Sequence, residues 1–238
     1  ADAAGRVNER SIEELVDEGR GIAPFREVVV AQDIDRQTAF RILEEAQILL
    51  GVDVFDASVR EYPTGALTAH IVGYLGPIGP DEEIRLRELG YNPAFDRIGY
   101  AGVEAYFEEQ LAGRRGTQTW LIDVAGEPLQ LVEEEQFTPG MSLQLTLDVD
   151  LQKAAQDALT RQINLVNADE GRVVTQQGVV IAMDPRNGEI LAMVSWPSYD
   201  NTRFARAIDG EYYFQQFEDP LRPLVNHAIS ALYPPGSV

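Results

Sequence analysis

The sequence predicts an α+β protein in two parts. A mixed helix and strand module occupies residues 1–139, and a long helix with an antiparallel hairpin lies within 140–238. Three observations carry this division. Short periodic segments punctuated by Gly and Pro fill the first part. A polar stretch, Glu133-Glu134-Glu135 with Thr138-Pro139-Gly140, then marks a change of pattern. Beyond it, apolar residues recur at helical spacing from Leu151 to Val166, and two apolar runs flank a turn containing Asn187-Gly188.

In chain order, Val28-Val29-Val30 is a β-prone run. Asp35 is placed to cap a helix reaching about Leu50, with Phe40, Leu43 and Leu50 on one face and Gly51 as its stop. Val52, Val54 and Val59 to Tyr62 suggest extended chain. Thr64 starts a second helix carrying Leu67, Ile71 and Tyr74, closed by Gly76-Pro77. Pro80 opens a third, with Asp81, Glu82 and Glu83 in the first turn, where the helix dipole favours acids, and Gly90 closes it. Val103, Phe107 and Leu111 share one face of a fourth helix beginning at Gly102. Trp120, Ile122 and Val124 alternate as a strand that turns at Ala125-Gly126 into Pro128 to Val132; the acids of 133–135 then belong to a polar turn. Leu143, Leu145 and Leu147 alternate as a further strand. Asp148 caps the long helix, whose apolar side is Leu151, Ala155, Ala158, Leu159, Ile163 and Val166. The hairpin pairs Gly178 to Met183 with Glu189 to Trp196. Its near-continuous apolar character calls for cover on both faces, only part of which that helix supplies.

Composition narrows the function classes. Thirty-nine acidic against 19 basic residues give a net charge of −20, which repels phosphate backbones and argues against nucleic-acid binding. With no cysteine, disulfides, thiol catalysis and thiolate metal sites are excluded, and two histidines leave no His-rich metal site. Lys153, the single lysine, sits in a polar part of the long helix and offers no buried catalytic amine. No run approaches the roughly 18 apolar residues that cross a bilayer, and Ala1 to Arg6 lacks a signal-peptide pattern. Tyr233-Pro234-Pro235-Gly236-Ser237-Val238 has the form of an entrance to a helix, which predicts that the sequence breaks off inside a domain.

Three groups of residues could carry chemistry. Paired acids at Glu13-Glu14, 81–83, Glu108-Glu109 and 133–135 could do acid/base work, but adjacent acids are ordinarily solvated faces. His70 and His227 could serve as bases for a serine, yet nothing in their spacing supports this over structural roles. Pro234-Pro235-Gly236 makes a stiff entry that leaves Ser237 at a helix N-terminus, where backbone N–H groups stabilise developing negative charge. From those residues alone, an N-cap role for Ser237 is the commoner outcome.

The ordered set of motifs resembles the class B penicillin-binding proteins of the elongation type. The run from Gln177 to Pro185, with Asn187 to Ser195 and then Pro197-Ser198-Tyr199-Asp200, is similar to the opening hairpin of the family's transpeptidase domain. Leu143 to Asp148 with Leu151-Gln152 resembles the strand and first helix of that domain. Pro223 to Ile229 and then Tyr233 to Ser237 resemble the approach to its Ser-x-x-Lys motif. Arg60-Glu61-Tyr62-Pro63, Ala69 to Tyr74 with Gly76, and Gly102-Val103-Glu104 with Phe107-Glu108 resemble its non-catalytic pedestal, with Phe107 where tyrosine is usual.

The resemblance implies a pedestal or dimerisation domain over 1–139 and an incomplete penicillin-binding transpeptidase domain over 140–238. It assigns Ser237 the role of nucleophile toward acyl-D-alanyl-D-alanine peptides, activated by a lysine three residues on, one helical turn away. That lysine and the later Ser-x-Asn and Lys-Thr-Gly motifs lie beyond Val238, so residues 1–238 alone are expected to be inactive. No cofactor or metal is implied. The implied partners are peptidoglycan stem peptides, β-lactams, a SEDS-family membrane glycosyltransferase, morphogenesis proteins and a second copy of the chain. The implied location is the extracytoplasmic face of the cell membrane, through an anchor outside these residues. A non-catalytic interaction module for the cell-wall elongation machinery is the alternative from another class. A β-lactam sensor or serine β-lactamase would share the nucleophile motif but not the pedestal-like first part.

Overall fold

A computed structural model describes residues 12, 14, 28–31, 34–49, 51–54, 59–93, 96–123, 128–206 and 208–232. The chain forms two compact units, Ala1–Val59 and Arg60–Val238.

In the first unit, α1 spans Arg36–Glu44, and the Asp35 carboxylate accepts the N–H groups of Gln37 and Thr38 at 3.0 Å, as a cap should. The helix stops at Glu44 rather than Leu50. It buries no residue, and without a packed face to extend it the chain tightens into turns, with Ile48 N–H bonding to the Glu45 carbonyl at 2.8 Å. Val28-Val29-Val30 forms no strand: no described segment pairs with it, and a β-prone run without a partner makes no ladder.

The second unit opens with the expected helix from Thr64 broken in two. A 3₁₀ turn covers Gly65–Leu67 and α2 covers Ala69–Val72. Gly73 ends α2 at φ 85°, and a Cβ there would lie 1.8 Å from the Ala101 carbonyl oxygen, so the two backbones touch where a side chain would not fit. That close approach swings residues 75–77 into β1, Leu75–Pro77, antiparallel to β2, Arg97–Gly99. Gly76 and Pro77 are therefore strand residues and not a helix end. Between the strands runs α3, Pro80–Glu88, with its three acids in the first turn. Its end is a reciprocal pair of bonds: Tyr91 N–H to the Leu86 carbonyl at 2.9 Å, and Gly90 N–H to Arg87 at 3.0 Å.

The expected fourth helix divides at Phe107 into α4, Gly102–Tyr106, and α5, Glu108–Ala112. The break lets the Glu108 carboxylate reach back to the Gly99 N–H at 2.8 Å and the Tyr91 hydroxyl at 2.9 Å. Strands β3, Thr117–Ile122, and β4, Pro128–Glu135, pair antiparallel. Glu133, Glu134 and Glu135 thus lie opposite Thr119, Gln118 and Thr117 in a ladder, not in a turn. A strand whose sides both face solvent accepts acids as readily as apolar residues.

Residues 141–147 are extended but form no strand. They run beside the last strand through the Thr146 hydroxyl, 2.6 Å from the Ile190 carbonyl oxygen, and the Asp148 N–H, 2.9 Å from that of Leu191. Asp148 then caps α6, Val149–Asp169, by accepting the Asp150 and Leu151 N–H groups at 3.0 Å. The face of α6 that packs inward holds Gln152 and Ile163, both buried, whereas Leu151 and Ala158 point outward. Lys153 is exposed and pairs with Asp157 at 2.9 Å. The predicted hairpin is present as β5, Gly178–Met183, antiparallel to β6, Ile190–Trp196. Ala192 and Val194 are buried while Ile181 and Met183 stay exposed, so cover is one-sided, as the sequence suggested. A 3₁₀ turn at Asn201–Phe204, α7 at Gly210–Glu218 and α8 at His227–Ser230 complete the described chain.

The principal core of this unit is Tyr62, Ala69, Tyr74, Tyr199 and Phe204, drawn from both sides of the polar stretch at 133–140. The Tyr74 ring stands edge-on to Tyr199 at 5.9 Å between centroids and lies 4.8 Å from Phe204. Polar side chains bind the same two segments. Tyr199 donates its hydroxyl to the Ala69 carbonyl at 3.0 Å, Asn201 its amide to Gly73 at 2.8 Å, and Ser198 its hydroxyl to Ala66 at 2.7 Å. Buried Gln152 donates to the Leu67 and Met193 carbonyls at 3.0 and 2.8 Å while accepting the Met193 N–H at 2.7 Å. Arg97 donates to the carbonyls of Leu75 at 2.8 Å, Phe204 at 3.0 Å and Ala205 at 3.1 Å, and also to that of Arg206. Burial holds the Arg97 pKa below its ordinary value, yet the guanidinium's several donors are matched by carbonyls that would otherwise lose water without replacement.

Candidate active site

Ser237, the one residue the sequence puts forward for catalysis, lies outside the described residues, as do Tyr233, Pro234, Pro235 and Gly236. The structure does describe how the chain that leads to them is held. Leu221 receives the Gln177 amide at 2.6 Å on its carbonyl, which also lies 3.1 Å from His227 Nε2. The Pro223 carbonyl oxygen is 2.7 Å from His70 Nε2. Ser195 in β6 accepts the His227 N–H at 2.9 Å and points its hydroxyl to the Val225 carbonyl at 3.4 Å. Asn226 caps α8, its side-chain oxygen accepting the Ala228 N–H at 3.1 Å. Residues 221–228 are thus fastened to α2, to β6 and to the chain just before β5.

Both histidines take structural roles here. Because a carbonyl only accepts, each imidazole facing one must carry its hydrogen on Nε2. Burial, the largest influence, lowers the His70 pKa against an opposing contribution from the Pro223 hydrogen bond, which shifts the balance toward the neutral ring. Neither histidine is described next to a serine that could act as nucleophile: Ser198 Oγ lies 3.5 Å from His70 Nδ1 but is turned 2.7 Å from the Ala66 carbonyl.

The acidic pairs divide. Glu82 and Glu83 make exposed pairs with Arg85 and Arg87 on α3, consistent with a solvated face. Glu108 does not follow that pattern, since its carboxylate accepts from the Gly99 N–H and the Tyr91 hydroxyl. Glu14 is helical and exposed, and Glu13 lies outside the described residues. No group of three or more potential metal ligands occurs among the described residues.

Sequence reasoning named Arg60 and Glu104 within separate motifs but missed that the two pair and that Glu104 is buried. Glu104 is 3% exposed and takes both arms of the Arg60 guanidinium, at 2.5 and 2.7 Å. The partners are 44 residues apart, and no local pattern announces the pair. Gln152 was findable: it shares a helix face with Ala155, Leu159 and Ile163, and a glutamine on an apolar stripe needs partners.

Comparison with known proteins places these features. Residues 3–145 match the penicillin-binding protein dimerisation domain, and residues 178–238 match the penicillin-binding protein transpeptidase domain. The chain belongs to the penicillin-binding proteins. Peptidoglycan D,D-transpeptidase MrdA of Salmonella typhimurium is 34% identical over 190 residues, covering 79% of this chain and 28% of that relative. Penicillin-binding protein 3 of Bacillus subtilis is 31% identical over 197 residues, covering 83% of this chain and 26% of the relative. These curated penicillin-binding proteins are three to four times longer than the stretch the chain matches. Among solved structures, Pseudomonas aeruginosa PBP2 in complex with WCK 5153 superposes with a TM-score of 0.58 at 32% identity, over 77% of this chain and 34% of that one. The PBP2 of a Helicobacter pylori PBP2–MreC complex gives a TM-score of 0.68 at 24% identity over 97% and 44%, a likeness of fold. The resemblance drawn from the motifs to elongation-type class B penicillin-binding proteins agrees with the MrdA and PBP2 names of these relatives.

Proposed function

We propose that these residues belong to a serine D,D-transpeptidase that cross-links peptidoglycan stem peptides. Residues 1–139 are its non-catalytic pedestal and 140–238 the start of its catalytic domain. Ser237 Oγ attacks the carbonyl of the penultimate D-alanine, the bond to the terminal D-alanine breaks, and that residue leaves with the serine's proton on its amine. An amine from a second stem peptide then attacks the ester, forming the cross-link and returning the hydroxyl to Ser237. A β-lactam enters the same first step and stays on the serine. The observation that carries the reading is the transpeptidase-domain match over 178–238, which includes Ser237, alongside relatives named as peptidoglycan D,D-transpeptidases.

The protein of the relatives' length should gain the mass of one penicillin on Ser237, and Ser237→Ala should abolish the gain. Residues 1–238 alone, lacking the lysine of the motif, should gain nothing. An adduct on another residue, or none on the long protein, would overturn the reading.

A second role accompanies the first. The structural neighbour solved in complex with MreC supports a morphogenesis protein as a partner, and we assign that contact to residues 1–139. We extend this to a SEDS-family glycosyltransferase and to pairing with a second copy of the chain, at the extracytoplasmic face of the membrane. No described helix is long and apolar enough to cross a membrane, so the anchor of this proposal lies outside those helices. Co-purification of a partner by the long protein, lost on removal of 1–139 and kept in Ser237→Ala, separates this role from catalysis.

A further inference from the structure

The contact between His70 and Pro223 joins the pedestal part of the chain to the route toward Ser237. His70 lies in α2, and its ring is held by one hydrogen bond and one aromatic contact, with a serine hydroxyl as a further neighbour. Nε2 meets the Pro223 carbonyl oxygen at 2.7 Å, the ring stands edge-on to Tyr199 at 5.2 Å between centroids, and Nδ1 is 3.5 Å from the Ser198 hydroxyl. Its backbone carbonyl also receives the Asn226 amide at 3.4 Å. One residue therefore grips the chain at 223 and again at 226.

The turn so gripped is unusual. Arg222 adopts φ 49°, the left-handed region that a non-glycine residue occupies only where its surroundings hold it. Arg222 N–H bonds to the Asp219 carbonyl at 2.8 Å, and Val225 N–H bonds to that of Arg222 at 3.0 Å. Proline has no N–H, so the carbonyl is the one polar group by which residue 223 can be held, and His70 takes it. The bond needs a hydrogen on Nε2, which the neutral Nε2–H tautomer and the imidazolium both carry; burial favours the neutral ring and the Pro223 carbonyl opposes it.

We propose that His70 is a positioning residue for Ser237: by fixing the Pro223 carbonyl it sets the path of residues 223–230 into the Pro234-Pro235-Gly236-Ser237 entry. The proposal rests on the acyl-enzyme reading above. His70 touches no reacting atom. Its loss frees the turn, and a nucleophile displaced by a fraction of an ångström reacts more slowly while the cleft still binds.

The test is acylation of the protein of the relatives' length by a chromogenic cephalosporin, with saturation kinetics separating binding from the acylation step. His70→Ala should slow the acylation step about tenfold to a hundredfold and leave the binding constant within about twofold. His70→Gln, whose amide N–H can reach the same carbonyl, should recover most of the rate. Tyr199→Phe, which removes the 3.0 Å bond to Ala69 from the same core without a bond to the turn, should lower the melting temperature and keep the rate. Should His70→Ala fail to fold, His70→Asn takes its place, because the shorter amide falls short of Pro223. Wild-type rates in the Ala or Asn variant would overturn the proposal. So would equal slowing of the Ala and Gln variants, or slowing of Tyr199→Phe in proportion to its lost melting temperature. A wild-type protein that takes no adduct would overturn this proposal and the transpeptidase reading together, whereas normal wild-type acylation with an unaffected His70→Ala sinks only this one.

Discussion

Tyr62, Tyr74, Tyr199 and Phe204 are between 0% and 8% exposed, whereas Trp120, Leu121, Ile122, Leu129 and Val132 of the β3–β4 hairpin are between 47% and 64% exposed. Both regions are rich in large apolar side chains. The hairpin has the longer ladder, eight residues on β4 against three on β1, but no described element covers it. At the junction, the rings meet partners more than a hundred residues away, and carbonyls freed by the short 3₁₀ and α turns are taken up by Tyr199, Asn201, Gln152 and Arg97. Backbone pairing alone leaves a two-stranded ribbon marginal, and burial with the polar groups paired, Asn201 Oδ1 excepted among the described residues, makes the fixed point. The approach to Ser237 is fastened to that fixed point.

Substitutions should separate the two regions steeply. Phe204→Ala empties the centre of the junction and should cost about 3–5 kcal/mol in denaturant unfolding of the second unit. Arg60→Ala leaves buried Glu104 without its guanidinium. The cost should be about 3 kcal/mol, at the low end for a buried pair because the Arg60 side chain is 41% exposed. Gln152→Ala strands the Met193 N–H and two carbonyls and should cost about 1–3 kcal/mol. Trp120→Ala in the hairpin should shift global stability by no more than about 0.5 kcal/mol. A Trp120 variant as damaging as Phe204→Ala would erase the contrast.

Alkaline pH should sharpen it. Burial, the first cause, raises Tyr62 and Tyr74 to about 12 from an ordinary 10.0 and raises Tyr199 further. Folding favours the protonated rings, so this stability is whole below pH 10. It is lost as pH rises from 10 toward 12, because the unfolded chain releases its protons first. Melting temperature measured across that range should fall, and a Tyr74→Phe variant should fall less steeply than the wild type.

Features set by near neighbours along the chain are legible in the sequence itself. Asp35 and Asp148 cap their helices through bonds to residues two and three positions on, and the turn at 184–188 closes the β5–β6 hairpin, because turn and cap chemistry is local. What failed was decided elsewhere in the chain. The helix expected from Thr64 to Tyr74 ends at Val72 because Gly73 must lie against Ala101, and the alternation of Leu143, Leu145 and Leu147 yields no strand because only isolated bonds reach β6. Glu133–Glu135 join β4 because a partner strand was available across the ladder, which composition does not reveal. Of the site, the motif order pointed to Ser237, but the grip of His70 on Pro223 spans 153 residues and left no trace in local pattern.

Residues 60–112 and 190–227 should open and close as one cooperative unit that carries the approach to Ser237. Native-state hydrogen exchange of the second unit, with and without Arg60→Ala, tests it most directly. The amides of Gly73 and Tyr100 on one side, and of Met193 and His227 on the other, should lose protection by the same free energy in the variant, while the β3–β4 amides exchange faster in both proteins. If only Gly73 and Tyr100 lost protection, and Met193 and His227 kept theirs, the two segments would be separate units and the account would be wrong.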